Sequence, residues 1–355
     1  MTQGLGDNPV LVEVTRGEKI ESFHRGAIAV ADVQGRIVIA LGNVRRPIFP
    51  RSAIKALQAI PLIESGAADA LGLTDGELAV VCGSHSGERV HLDAVLSILA
   101  KAGLDENDLA CGAHWPLSER ATRELERAGA RPRAIHNNCS GKHAGMLATA
   151  VHLGIEPRGY ERPEHPVQAE ITRVVSDICA IRLEPSDMGI DGCSVPTWAM
   201  PLGSLAQGVA RYASGKGLSP VRAQAAQRLM DACLAAPVMV AGEGRFDTVV
   251  MRKLAPSVLV KGGAEGVQCA AMQEAGIGVV VKIDDGSKRA VEMVMMALLA
   301  SLVLGGDLRL GDRLEAELRN WRGLEVGRLR ASSTLKHELE TLAARHDFVP
   351  DSVAR

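Results

Sequence analysis

Aromatic residues are scarce in this sequence: three Trp, two Tyr and four Phe make up 3% of 355 positions. So few flat rings leave little on which nucleobases could stack, and a formal net charge of −2 supplies no field to hold a polyanion or an anionic bilayer surface. Nucleic acid and membrane are therefore not expected partners. Long hydrophobic runs are lacking too. The longest, around Val294 to Leu304, is too short to span a bilayer comfortably. The opening MTQGLGDNPVLVEV has no basic segment followed by an apolar stretch, so no secretory leader is legible. Seven cysteines, an odd number without a close pairing pattern, do not form a disulfide framework and point to a reducing, cytoplasmic location. Lysine is also rare, with 10 Lys against 30 Arg. Arginine carries the solvated positive charge, whereas lysine is the cation that can lose its proton at modest cost, so each lysine is a chemical candidate.

The remaining composition, 46% hydrophobic and 23% charged, is that of an ordinary globular chain with ample length to bury a core. Val10, Val12 and Val14 alternate as in a half-buried strand. Ala27–Asp32 and Arg36–Leu41 flank Val33-Gln34-Gly35 as a hairpin. From Arg51 to Ser65 the apolar spacing turns helical, and Thr74-Asp75-Gly76-Glu77 has the pattern of a helix-opening capping box. Roughly Val90 to Met239 is mainly helical and punctuated by prolines. β character returns over Ser257–Lys261, Val267–Met272 and Gly278–Ile283, followed by an apolar helix from about Ser287 to Leu304. No internal repeat is present.

Strands at both chain ends around a helical middle predict an α+β fold, with an antiparallel sheet built from both chain ends plus a helical lobe. The expected organisation is a single domain over residues 1–330. Its sheet lobe covers about 8–50 and 245–305, and its mainly helical lobe about 51–244. The stretch 331–355 reads as a polar tail with expected disorder.

Ser52-x-x-Lys55 is the first chemical motif. A serine hydroxyl is a poor nucleophile until a base removes its proton, and positions i and i+3 of a helix share one face. Placing Ser52 at a helix start also offers free N–H groups to a developing oxyanion. The cost falls on the lysine, whose pKa must drop from ~10.4 toward ~7.5, roughly 4 kcal/mol of burial and like-charge repulsion. With 20 Ser and 10 Lys, about half a match is expected by chance. The chain holds two, and Ser333-x-x-Lys336 in the polar tail is taken as the chance one. Ser52 has company: Lys261-Gly262-Gly263 ends a β-like run, and Ser84-His85-Ser86 sits in a small polar loop. This trio parallels the S-x-x-K, S-D-N and K-T-G elements of serine β-lactamases and penicillin-binding proteins. The middle element is not S-D-N, which argues against a β-lactam substrate.

A second cluster, His136-Asn137-Asn138-Cys139-Ser140-Gly141-Lys142-His143 with Cys193 further on, concentrates metal-ligating side chains. From ligand chemistry alone His136, Cys139, His143 and Cys193 are candidate zinc ligands, with a cysteine–histidine hydrolase pair (Cys139 and His143) or plain core packing as the alternatives.

Taken together, Phe49–Lys55, Cys82–Glu88, Asn137–Lys142, Gly189–Pro196 and Lys261–Gly266 resemble the class 3 (rhizobial-type) L-asparaginases over about residues 10 to 310. The resemblance implies a serine β-lactamase-like and glutaminase-like fold, a homodimer, and hydrolysis of L-asparagine to L-aspartate and ammonia through an acyl-enzyme. It implies Ser52 as nucleophile with Lys55 beside it, a second tandem of Ser84 and Lys261, and zinc held by Cys139, Lys142 and Cys193. That ligand set replaces the chemical nomination, and the metal is expected to support binding rather than the chemical step.

In the expected mechanism Lys55, kept neutral by burial and Lys261, takes the proton of Ser52, while Ser84 and Lys261 relay a proton to the leaving ammonia. An α-amino acid needs a cation for its carboxylate and an anion for its ammonium. Arg51 and Asp191 are the candidates, with His143 as a further contact. Glutaminase, penicillin-interacting hydrolase and a non-catalytic zinc-dependent binding protein remain the alternatives.

Overall fold

The computed structural model describes residues 8–303 and 315–343. The N-terminal segment supplies β1 (Val10–Arg16), β2 (Lys19–Asp32) and β3 (Ile37–Leu41). Two small antiparallel pairs follow within the middle of the chain. β4 (Pro47–Ile48) pairs with β7 (Met200–Pro201), and β5 (Met188–Ile190) pairs with β6 (Pro196–Trp198). The C-terminal third adds β8 (Val258–Gly263), β9 (Val267–Met272), β10 (Ile277–Ile283), β11 (Glu315–Arg319) and β12 (Glu325–Ala331).

The main sheet runs β11-β12-β1-β2-β10-β9-β8, with β3 also against β2, and every pairing in it is antiparallel. It is built from both chain ends with the helical segment between them, as the strand order in the sequence predicts. The 14-residue β2 is the splice: its first half pairs with β1 and its second half with β10, in register from Gly26↔Ile283 to Asp32↔Ile277.

On β10, Val279, Val280 and Val281 are each 0% exposed. Successive strand residues face opposite sides, so the sheet is covered on both faces. The helices Leu202–Ser214 and Lys288–Val303 both pack on it. Gly278 lets the first lie close, because a Cβ there would stand 2.0 Å from Ala206 O. Each fully buried valine is worth about 1.5–3 kcal/mol, so the centre of the sheet is firmly held.

The stretch Arg51–Ser65 is not one helix. A 3₁₀ turn, Arg51–Ile54, leads into two short helices, Lys55–Gln58 and Ile60–Glu64. Pro61 has no N–H to continue the ladder, and Arg51 sits at φ 52°, outside helical space. The Thr74–Glu77 capping box forms as expected and opens the helix Asp75–Val81. Past Ala331 the chain continues into a helix, Ser333–Ala343, with Leu335 and Leu339 buried and Ser332 Oγ donating to Val10 O (2.6 Å). Residues 344–355 of the expected tail lie outside the described residues. No helix among the described residues is long and apolar enough to cross a membrane.

Candidate active site

Four segments meet at the end of β8. The first is the turn bearing Ser52 and Lys55. It docks on β8 because Gly263 has no side chain: a Cβ there would stand 2.6 Å from Pro50 O and 3.1 Å from Ala53 N. The second glycine of the Lys-Gly-Gly element is thus a requirement of close backbone approach. The second is the loop Gly83–Gly87, entered from the helix Asp75–Val81. Ser84 N donates to Val240 O (2.7 Å), and Gly83 is pressed against Met239 O, where a Cβ would come within 2.7 Å. The third is Asn137–Ser140, opening the helix Ser140–His152. The fourth is the loop Gly242–Asp247.

Lys55 is fully buried and ties two of these segments together. Its Nζ donates to Gly83 O (2.6 Å) and Asn138 O (3.2 Å). His85, also fully buried, adds a third tie. Its Nδ1 accepts from Gly87 N (3.2 Å), which leaves Nε2 protonated to donate to Ser140 Oγ (2.8 Å). Burial and the nearby charges of His91 and Lys55 hold this imidazole well below the usual histidine range, in the neutral form that those bonds require.

Lys261, at the end of β8, is 4% exposed and donates from Nζ to Ser84 Oγ (2.9 Å) and to Gly262 O (2.7 Å). Burial lowers its pKa to about 7; the positive charges of Lys55 and Arg245 act in the same direction, against the opposing pull of Asp247. At about 7, half of the amine is neutral at neutral pH. At the ordinary lysine value of 10.5 only about one part in 3,000 would be. Ser52 and Ser84 line one cavity of about 470 Å³, together with Asn138, Arg245, Asp247, Gln268, Lys288 and Glu292.

The two residues nominated for opposite ends of an amino acid are bonded to each other: Arg51 Nε donates to Asp191 Oδ1 at 2.7 Å. Neither lines the cavity that holds Ser52 and Ser84. Burial pushes the Asp191 carboxyl up, but Lys142, Arg51 and the Gly192 N–H outweigh it and leave the group lowered. His143 is a core residue. Its Nδ1 lies 2.6 Å from Tyr160 Oη, Nε2 has no hydrogen-bond partner among the described residues, and burial beside Lys142 and Lys55 keeps it neutral.

Among the described residues no three His, Cys, Asp or Glu side chains converge as a metal site, so the set His136, Cys139, His143 and Cys193 is not brought together. His136 instead accepts from Arg133 N (3.0 Å) through Nδ1. The other set does converge. Lys142 Nζ lies 3.2 Å from Cys193 Sγ, the Cys139 and Cys193 thiols influence each other's protonation, and all three residues are buried. The interaction with Cys193, reinforced by Lys55 and Lys142, holds Cys139 well below the usual thiol range against the effect of burial, while Cys193 is raised. Two sulfurs and a lysine make a donor set suited to zinc once the lysine is deprotonated; without metal, burial lowers the pKa of the Lys142 ammonium, but Cys193, Cys139 and Asp191 outweigh it and leave the group raised. All seven cysteines are free and buried.

Sequence reasoning missed the loop Gly242–Asp247. Asp247 accepts from Gly262 N (2.9 Å) and from Gln268 Nε2 (2.7 Å), thereby bracing the Lys261 strand, and Arg245 Nη1 donates to Ser84 O (2.9 Å). The readable signal was a Gly-Glu-Gly-Arg-Phe-Asp-Thr run between helical and β patterns, a polar loop with more charge than a turn needs.

An α+β sheet protein with two serines lining one cavity, one of them bonded to a buried lysine, has the outline of a hydrolase. The family model of L-asparaginase II matches residues 12–331, so the chain belongs to the L-asparaginase II family and is an amidohydrolase. No curated protein matches the sequence. Among solved structures, a β-lactamase from Mycobacterium bovis aligns with 13% identity over 75% of this chain and 89% of its own, at a TM-score of 0.38. Simvastatin synthase from Aspergillus terreus aligns with 13% identity over 75% and 89%, at 0.39. A β-lactamase-like protein from Bacteroides dorei aligns with 12% identity over 73% and 84%, at 0.38.

Proposed function

We propose that the protein is an L-asparaginase that hydrolyses L-asparagine to L-aspartate and ammonia through a seryl acyl-enzyme. One observation carries the reading: Lys261, with a pKa near 7, bonded at 2.9 Å to Ser84 in the cavity that also holds Ser52. Ser52 Oγ attacks the side-chain amide carbon. Its proton passes to Ser84 Oγ as the Ser84 proton moves to Lys261 Nζ. Collapse of the tetrahedral intermediate breaks the C–N bond, and the Lys261 ammonium returns the proton to the departing ammonia. Water then hydrolyses the ester with the same base. The base role falls to Lys261 because Lys55 is engaged with two backbone carbonyls and serves to hold the loops.

The direct Lys261–Ser84 bond also favours a second reading, with Ser84 as the nucleophile. Mass spectrometry of the enzyme quenched during turnover separates the two by locating the aspartyl adduct, which adds to the peptide bearing Ser52 in the first case and Ser84 in the second. Asparagine and glutamine differ by one methylene, worth ~1–3 kcal/mol in a pocket, so the preference is a matter for measurement.

Zinc is proposed on Cys139, Lys142 and Cys193. When bound it would supply a fixed positive charge beside the cavity, and Lys142 must give up its proton to ligate it. The free thiols support a reducing, cytoplasmic setting. A homodimer is proposed from the resemblance, to be tested by light scattering after size-exclusion chromatography.

A further inference from the structure

We infer that the substrate's α-carboxylate is held by Arg245 and its α-ammonium by Glu292, making these the residues that select an α-amino acid amide over a plain amide. The inference rests on the amidase reading above and adds its recognition element.

A zwitterionic substrate needs a cation and an anion that are in the cavity and not already satisfied. Four charged side chains line the cavity: Arg245, Asp247, Lys288 and Glu292. Asp247 is committed, with one oxygen on Gly262 N and the other on Gln268 Nε2. Lys288 has its side chain 68% exposed, so water screens it and its four-carbon stem is free to swing. Arg245 differs from both. It is half-buried, its Nη1 is fixed on Ser84 O, and it forms no ion pair among the described residues. Its Nε and Nη2 have no protein acceptor among them either. A guanidinium pinned at one nitrogen and open at two others offers the fork that a carboxylate accepts. The same pin sets the distance from the bound carboxylate to the Ser84 backbone.

Glu292 is the anion that remains. Among the described residues its ion-pair partner is Lys288, 3.6 Å away on the same helix and largely in solvent, and its own side chain is 27% exposed. Burial raises its carboxyl, with Asp247 adding to the effect against Lys288 and Arg245. A substrate ammonium would relieve that repulsion. Arg51 and Asp191, the pair expected from sequence, neutralise each other and lie off this cavity.

The test uses ammonia release from three amides: L-asparagine, succinamate (no α-ammonium) and 3-aminopropanamide (no α-carboxylate). Wild type should prefer asparagine over either truncated amide by about tenfold to a hundredfold in kcat/KM, the range for a charged hydrogen bond lost from a partly buried site. Arg245→Gln should lower kcat/KM for asparagine and succinamate by a similar factor and change that for 3-aminopropanamide little. Glu292→Gln should affect asparagine and 3-aminopropanamide and spare succinamate. Equal losses on all three amides in Arg245→Gln would mean that Arg245 acts only through the Ser84 loop, and would overturn its assignment while leaving the amidase reading intact. No ammonia from any amide with wild type would overturn the amidase reading itself. Should Arg245→Gln fail to fold, wild type alone still decides: turnover of 3-aminopropanamide as fast as asparagine would overturn the carboxylate anchor.

Discussion

Lys261 Nζ and Ser84 Oγ stand 2.9 Å apart, and the lysine in that pair has its pKa lowered from 10.5 to about 7. In the proposed mechanism the active form is the neutral amine, which fixes the sign. kcat/KM should rise about tenfold per pH unit below 7 and level off above it. Lys261→Arg keeps the positive charge and cannot deprotonate. That variant should lose several orders of magnitude in kcat at every pH from 6 to 9, and a pH–rate profile of both proteins checks this.

Gly263 is predicted to be intolerant of any side chain. In Gly263→Ala the new methyl meets Pro50 O at 2.6 Å and pushes the turn bearing Ser52 off β8. Overpacking of this kind costs about 1–3 kcal/mol, readable in urea unfolding. The kcat should fall more than the stability loss explains, because the displaced atoms are next to the proposed nucleophile.

Arg51 keeps its φ of 52° next to Ser52, a conformation costing about 1–3 kcal/mol in a residue with a Cβ, and Asp191 holds its guanidinium at 2.7 Å. Asp191→Asn should destabilise the protein by about 1–3 kcal/mol at neutral pH. Because the Asp191 carboxyl is lowered from 3.8 in the folded state, its contribution is present above pH 3.8 and disappears as pH falls through the folded value. Denaturation midpoints of wild type and variant should therefore converge in acid.

Much of the architecture was legible because it rests on local pattern. Alternating valines, the Val33-Gln34-Gly35 turn and the Thr74–Glu77 cap each declare an element within a few residues, and the order of elements predicts the sheet. Ser52, Ser84, Lys55 and Lys261 were legible as motifs. The partners of charged groups were not, since pairing is a property of the fold. Nothing in the sequence states that Arg51 and Asp191, 140 positions apart, satisfy each other, or that Asp247 braces Gly262. The loop bearing Arg245 was passed over for the same reason. Its role lies in what it faces.

Purified protein is predicted to carry zinc at about one equivalent per chain, measured by atomic emission. Cys139→Ala and Cys193→Ala should each abolish it, since losing one of three ligands weakens a site by far more than the 10–100-fold typical of outer-shell changes. Zinc retained at full occupancy in both variants would move the metal elsewhere.

The most direct measurement is ammonia release from L-asparagine and L-glutamine by wild type and Ser52→Ala side by side. The predicted result is ready turnover of asparagine by wild type, with a loss of several orders of magnitude in the variant while its thermal unfolding stays that of wild type. Near-normal turnover by Ser52→Ala would contradict the assignment of Ser52 as nucleophile. No ammonia from either amide with folded wild-type protein would contradict the proposed activity as a whole.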